Sequence, residues 1–327
     1  MSDSLAVSSC ALPPHLEGWR SLVTRSIAAW DDIAADGRNI RTDIPTYALQ
    51  ECSSLDDFLT QGLVPVSFWF FQTRAAFMSQ QRMEVWSRDR LDTYILLPGL
   101  PDYVWRKDCF FVSHFWDSAN HPDPDGACLR LHQKELEPQS WSWIWVDWSC
   151  MPQEPRSAPE ERFFRRSLET ISAIIRNCGF TYFYPPFKPR LWILYEIAEY
   201  ILTCDGGLAV TPDIALFLQH VDEMVRTSVQ ATLEKYGYEC SYDGDRKYLT
   251  GWLELLVILK RLPMDVDAVR VVMNGITWHV TTHTQTYPLA RMEIRKSEGV
   301  LVFDGREYNF TPFPQYKNFV RLNTEAE

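Results

Sequence analysis

The chain has no C-x-x-C pair. Its eight cysteines are scattered over 327 residues, none at the tight Cys/His spacing of a zinc site, and the chain is far too long for a small disulfide scaffold. Reduced thiols are the expectation. Long apolar runs are also missing: no stretch reaches the ~20 residues that a membrane-spanning helix needs. The N-terminus, Ser-rich and closed by Pro13-Pro14, lacks the basic-then-apolar layout of a secretory leader. Together these absences point to a cytoplasmic protein with no membrane association. Positive charge is in deficit. The 32 Lys and Arg against 43 Asp and Glu give a net charge of −11, which argues against nucleic-acid partners but leaves room for a local basic pocket that binds a phosphate. Internal repeats and low-complexity tracts are absent as well.

Aromatic residues are abundant, at 14% of the chain with 13 Trp. Many lie in strand-like runs, so their first reading is a bulky core. The length exceeds the size at which one core usually stays undivided. Three regions are expected: a mainly helical N-terminal extension over 1–105, an α/β domain over 106–235, and a C-terminal helix and β-meander region over 236–327.

In the first region, Leu16, Trp19, Leu22, Val23, Ile27 and Trp30 recur at helical spacing. Ser53 or Ser54 is placed to cap a short helix through Leu59, and residues 66–90 read as a further helix. From Asp108 the texture changes. Cys109 to Trp116, Trp141 to Trp148 and Phe180 to Tyr184 are short apolar runs, as suits strands buried on both faces of a parallel sheet. Helical patterns over 126–137 and 160–178 separate them, and a third helix follows from Arg190. The pattern is β-α-β-α-β-α, which predicts an α/β fold with helices on both faces of a parallel sheet.

Gly206 to Val210 is a candidate fourth strand. A helix from Thr211-Pro212-Asp213 to Leu233, a polar loop over 236–248 and a helix over 249–262 come next. Residues 268–313 read as strands at 269–273, 278–282, 292–294, 300–303 and 308–310. Asn274-Gly275, Glu298-Gly299 and Asp304-Gly305 would be their turns.

Ligands of an open parallel sheet sit beyond the carboxyl ends of its strands. The first run delivers Ser113, His114 and Trp116 there, and the second delivers Asp147, with Ser149 and Gln153 in the following loop. The helix Arg190-Leu-Trp-Ile-Leu-Tyr-Glu196-Ile-Ala-Glu-Tyr-Ile-Leu is apolar nearly all round. A carboxylate at Glu196 is costly there unless it is paired, with Arg190 or another buried Arg, or has chemistry to perform. Asp147 could equally be a loop cap, and His114 a hydrogen-bonder that holds the strand end. Asp117, Asp123 and Asp125 could gather a cation, but the intervening prolines favour a turn entering the helix at Gly126, so no metal is expected.

These residues, in this order, resemble a divergent Toll/interleukin-1 receptor (TIR) domain. The similarity rests on Val112-Ser113-His114-Phe115-Trp116, Pro122-Asp123-Pro124-Asp125-Gly126, Trp145-Val146-Asp147, Pro152-Gln153 and Arg190-Leu191-Trp192-Ile193-Leu194-Tyr195-Glu196, and covers about residues 108–210. It implies a flavodoxin-like parallel sheet and cleavage of the nicotinamide–ribose bond of NAD+, which is then a substrate rather than a cofactor. On that resemblance Glu196 is the catalytic glutamate and Asp147 the aspartate closing the second strand. Ser113, His114, Phe115, Trp116, Trp148, Gln153 and Trp192 are the substrate-binding candidates. The loop after Asp147 would shape the pocket and mediate assembly, hence a homo-oligomer on activation, in immune or stress signalling. His114-Phe115 stands where the family has Phe-Arg, and Met151-Pro152-Gln153 where it has Arg-Gly. Two other readings stay open. One is an N-glycosidase or deoxyribosyltransferase-like enzyme acting on a related nucleotide, and the other is a non-catalytic, self-assembling module.

Overall fold

The computed structural model describes residues 14–61, 66–116, 118, 120–184, 186–204, 208, 210–240, 243–278 and 282–314. Helices α1 (Pro14–Ala35), α2 (Asp43–Gln50) and α3 (Leu55–Thr60) come first. Ser54 caps α3 by accepting from Asp57 N at 3.2 Å, as its sequence position suggested. Strand β1 (Phe68–Thr73), helix α4 (Arg74–Ser79) and strand β2 (Tyr94–Pro98) follow. Phe68-Trp-Phe-Phe-Gln-Thr is therefore a strand and not part of the helix predicted over 66–90. Five of its six residues are buried, a continuous burial that a two-sided sheet position satisfies and an amphipathic helix does not.

The three apolar runs form β3 (Cys109–His114), β4 (Trp143–Trp145) and β5 (Gly179–Phe183). The sheet has the order β2-β1-β4-β3-β5. Strand β3 pairs in parallel with both β4 and β5, while β1 runs antiparallel to β4 and β2. The fold is thus mixed α/β, and the sheet is mixed rather than wholly parallel. Residues expected to form a helical extension supply two of its strands.

Strand β4 is shorter than the predicted run because Asp147–Cys150 turn into a single helical turn, α6, as Val146 O accepts from Ser149 N at 3.1 Å and from Cys150 N at 2.8 Å. The crossover helices are α5 (Ala127–Leu136) and α7 (Ala158–Asn177), and β5 leads into α8 (Leu191–Thr203). Residue parity on β3 sorts the core. Cys109 and Phe111 pack with residues of α7 and α8, whereas Val112 and Phe110 pack with Leu129 and Leu136 of α5. Helices therefore cover both faces of the sheet.

Beyond α8 lie α9 (Pro212–Arg226) and α10 (Val229–Lys235). They divide the helix predicted over 211–233 at Thr227, where Ser228 caps α10 by accepting from Ala231 N at 3.1 Å. Helix α11 (Asp243–Arg261) begins inside the segment predicted as loop. Helix α12 (Val266–Trp278) replaces the strand expected at 269–273. Its buried Val269, Val272, Met273 and Ile276 fall at helical spacing. The Asn274-Gly275 pair lies within this helix and not in a hairpin; a Cβ on Gly275 would come 2.5 Å from the Tyr287 hydroxyl.

Strands β6 (Thr284–Tyr287), β7 (Met292–Arg295), β8 (Val300–Phe303) and β9 (Arg306–Asn309) make the expected antiparallel meander. The Asp304-Gly305 turn has φ 51° and 78° at its two residues, as a two-residue hairpin of this hand requires. Of the strand proposed at 206–210, residues 206, 207 and 209 lie outside those described, as do 279–281 of that at 278–282. No helix among the described residues is long and apolar enough to cross a membrane, and no disulfide joins the described cysteines.

A wholly buried ion pair ties the helices together. Arg176 of α7 donates to Glu199 of α8, and its other nitrogens reach Asn274 Oδ1 at 3.0 Å and Thr277 Oγ1 at 2.8 Å on α12. Trp252 of α11 donates to the second Glu199 oxygen at 2.5 Å. Burial pushes the Glu199 carboxyl up against the pull of Arg176. Removing the acid strands a guanidinium in the core. Glu199→Ala should therefore cost about 3–5 kcal/mol, read as a lower midpoint in urea unfolding.

Candidate active site

Adjacent residues on a strand point to opposite faces, and β3 ends on two that both carry chemistry. Ser113 faces α8. Its hydroxyl donates to Glu196 Oε2 and accepts from the Tyr184 hydroxyl at 2.7 Å. Tyr184 follows directly on β5 and is buried, so the series Tyr184 to Ser113 to Glu196 has one direction. Each hydroxyl has a single proton to give, and the ionised carboxylate only accepts.

Glu196 has no ion-pair partner among the described residues. Arg190 lies instead 3.8 Å from Glu239. Although solvent reaches part of the Glu196 side chain, burial of its carboxyl pushes the pKa up to about 8; Ser113 pulls it down, and the nearby Asp147 charge adds to the rise. Glu199, three residues on, turns to Arg176, so the bland reading of a buried paired acid applies to Glu199 and not to Glu196.

The second network lies on the α5 face. His114 Nε2 meets Asp147 Oδ1 at 2.8 Å, the Trp116 indole donates to Asp147 Oδ2 at 2.9 Å, and Trp148 N donates to Oδ1 at 2.6 Å. Burial raises the Asp147 pKa, but its interaction with His114, with the donors Trp116 and Trp148 N, outweighs it and holds the carboxyl below its ordinary range. Asp147 orients His114, then, and does not touch Ser113. Gln153 folds its amide back onto the Asp147 and Met151 carbonyls, both at 3.0 Å, and so fixes the loop rather than presenting itself to a ligand.

The aromatic candidates divide by exposure. Trp148 is buried in the apolar cluster and lies edge-on to Trp116 at 5.4 Å. Phe115 is half-buried, with Lys188 Nζ 4.7 Å and the Arg190 guanidinium 5.7 Å from its ring centre. Trp192 donates to Asp245 Oδ2 at 3.3 Å, which brings the first turn of α11 against α8. The turn at residues 122–126 follows the capping alternative: Asp123 accepts from Cys128 N at 3.1 Å and Leu129 N at 2.9 Å. Asp117 lies outside the described residues. Among those described, no group of three or more His, Cys, Asp or Glu is placed to hold a metal. An open hollow of about 400 Å³ lined by Gln230, Tyr238 and Arg246 shares no residue with either network.

Tyr184 and Lys188 were not among the sequence candidates, and Asp245 falls in the segment predicted as a polar loop. Tyr184 was within reach of the strand-end rule, since it closes the third run as Asp147 closes the second. The role of Lys188 depends on its placement over the Phe115 ring, and that of Asp245 on where α11 begins. The chain matches no family model, no curated protein and no solved structure.

The raised Glu196 pKa carries a stability cost with a definite sign. The folded pKa of about 8 exceeds the unfolded value near 4.5, so the stabilisation is fully present below about pH 4.5 and is lost as pH rises through about 8. Glu196→Gln stays neutral throughout. It should match wild type near pH 5 and be more stable by roughly 1–3 kcal/mol near pH 9, allowing for partial solvent screening. Urea unfolding at the two pH values measures this difference.

Proposed function

We propose that this chain is an NAD+ glycohydrolase that cleaves the nicotinamide–ribose bond, and that its α/β core is a flavodoxin-like, TIR-type sheet. The observation that carries the reading is the Glu196 carboxyl at the strand ends, held by Ser113 and lacking any basic partner among the described residues. The parallel strands run second–first–third across the sheet, an order that agrees with such a fold.

Nicotinamide leaves as a neutral molecule, so bond cleavage needs no strong general acid. Positive charge instead develops on the ribose as an oxocarbenium, and a carboxylate beside it stabilises that charge, as in glycoside hydrolysis. Ionised Glu196 supplies this. Its usual drawback, the cost of a poorly paired buried charge, falls away when the cation forms, so the interaction is stronger in the transition state than in the ground state. Asp147 already accepts from three donors and acts as a second fixed negative charge rather than as a base. Phe115 offers a partly open ring for stacking, and Lys188 and Arg190 beside it supply positive charge for the diphosphate. Signalling by nucleotide consumption in immune or stress responses fits this activity, and so does assembly through the loop after Asp147.

Purified protein incubated with NAD+ should release nicotinamide, with ADP-ribose or its cyclic form as co-product in mass spectra. Glu196→Gln should lower kcat by about 100-fold or more with the fold intact. Turnover should rise with pH through about 8 as Glu196 ionises, and Ser113→Ala should move that limb upward by removing a donor that favours the anion. Absence of nicotinamide from concentrated wild-type protein would sink the proposal, and cleavage confined to another nucleotide in a substrate panel would redirect it to the related N-glycosidase. Lys188→Ala and Arg190→Ala should raise KM more than they lower kcat, by about 2- to 5-fold for an exposed ionic contact.

A further inference from the structure

A second buried imidazole stands behind His114. His132 lies on α5 and is fully buried. Its Nδ1 is 3.0 Å from Thr181 Oγ1 on β5, and that hydroxyl donates to Glu135 Oε2, also at 3.0 Å. A hydroxyl has one proton. With it given to Glu135, Thr181 faces His132 as an acceptor, so the His132 proton sits on Nδ1 and its Nε2 is a bare lone pair. Burial holds the ring neutral, with its pKa pushed down to about 3.

The register places the two rings on one face of the sheet. Thr181 is the partner of Val112, and His114 lies two residues further along β3, about 7 Å by strand rise. His114 uses Nε2 for Asp147. Its Nδ1 and the Nε2 of His132 are both buried without a partner among the described residues. Buried polar atoms are nearly always satisfied, by protein or by ordered water, and a bare one costs about 1–3 kcal/mol.

We propose that His132 is a positioning residue for His114, joined to it by one buried water between His132 Nε2 and His114 Nδ1. The resulting series runs Glu135–Thr181–His132–water–His114–Asp147, from the protein surface to the strand-end carboxylate. It locks the His114 ring with its Nε2 proton directed at Asp147, and so keeps the fixed charge of Asp147 in place. Its consequence for turnover rests on the NAD+ reading above, whereas the hydrogen-bond series does not.

Nitrogen-15 spectra of the imidazoles test the series directly. His132 should carry its proton on Nδ1, the minor tautomer of free neutral histidine, and His114 should be protonated at Nε2. A long-lived water should cross-relax with the Hε1 protons of both rings. In Thr181→Val, which keeps shape and removes the acceptor, His132 should revert to the Nε2–H tautomer and the His114 resonances should shift. If the enzyme turns over NAD+, the same variant should lose about 3- to 10-fold in kcat with KM unchanged, the size of one lost buried hydrogen bond. A His132 proton on Nε2 in wild type, or a His114 indifferent to Thr181→Val, overturns the proposal. Because the spectra need no substrate, a protein that releases no nicotinamide but shows the series would sink only the function.

Discussion

Ser113 and His114 are neighbours in the chain and lie on opposite faces of the sheet, and the candidate site is organised by that parity. One residue per face means one hydrogen-bond network per face. Tyr184 and Glu196 gather on the α8 side, while Asp147, Trp116 and the buried His132 gather on the α5 side. The two networks communicate through charge: Asp147 stays ionised and helps to keep Glu196 from ionising. Two carboxyl groups at one strand edge, with pKa values driven in opposite directions by different surroundings, make an arrangement that chemistry can use.

Helix α8 carries two acids, and they meet the same physical problem in different ways. Glu199 is wholly buried and surrounded by Arg176 and Trp252, donors from two other helices. Its pairing links α7, α8, α11 and α12 into one body. Among the described residues Glu196 receives only a hydroxyl, from a serine that is itself held by a tyrosine. Such an acid is an expensive element in the resting protein, and it is the one placed where strand ends meet. A helix that is firmly anchored at Glu199 can carry an under-satisfied group one turn earlier.

The first hundred residues are part of that anchorage. Strands β1 and β2 extend the sheet on the β4 side, so Asp147 leaves a strand with neighbours on both edges. Tyr94 of β2 donates to Ser149 O at 2.8 Å and braces the turn that follows Asp147. What reads as an appendage in the chain is, in space, support for the segment that positions a carboxylate.

Local pattern and strand-end logic determined much from the residues alone. The runs ending in Ser113–His114 and at Val146–Asp147, the crossover helices between them and the carboxylate of Glu196 in an apolar helix are all short-range features, written in hydrophobic periodicity. The tertiary structure decided what periodicity cannot carry. Phe68 to Thr73 is buried on both faces, and periodicity does not separate such a short apolar run from a buried helix segment, so its sheet partners decide that it is a strand. Val269 to Met273 is β-branched but became helix because its buried face is set by α7 and α8. The choice between Glu196 and Glu199 as the paired acid depended on where Arg176, 20 residues earlier than Glu196 in the chain, emerges in the core. Tyr184 and His132 gained their roles in the same way, from register across the sheet, which brings Thr181 beside Val112 and a tyrosine from one strand onto the serine of another.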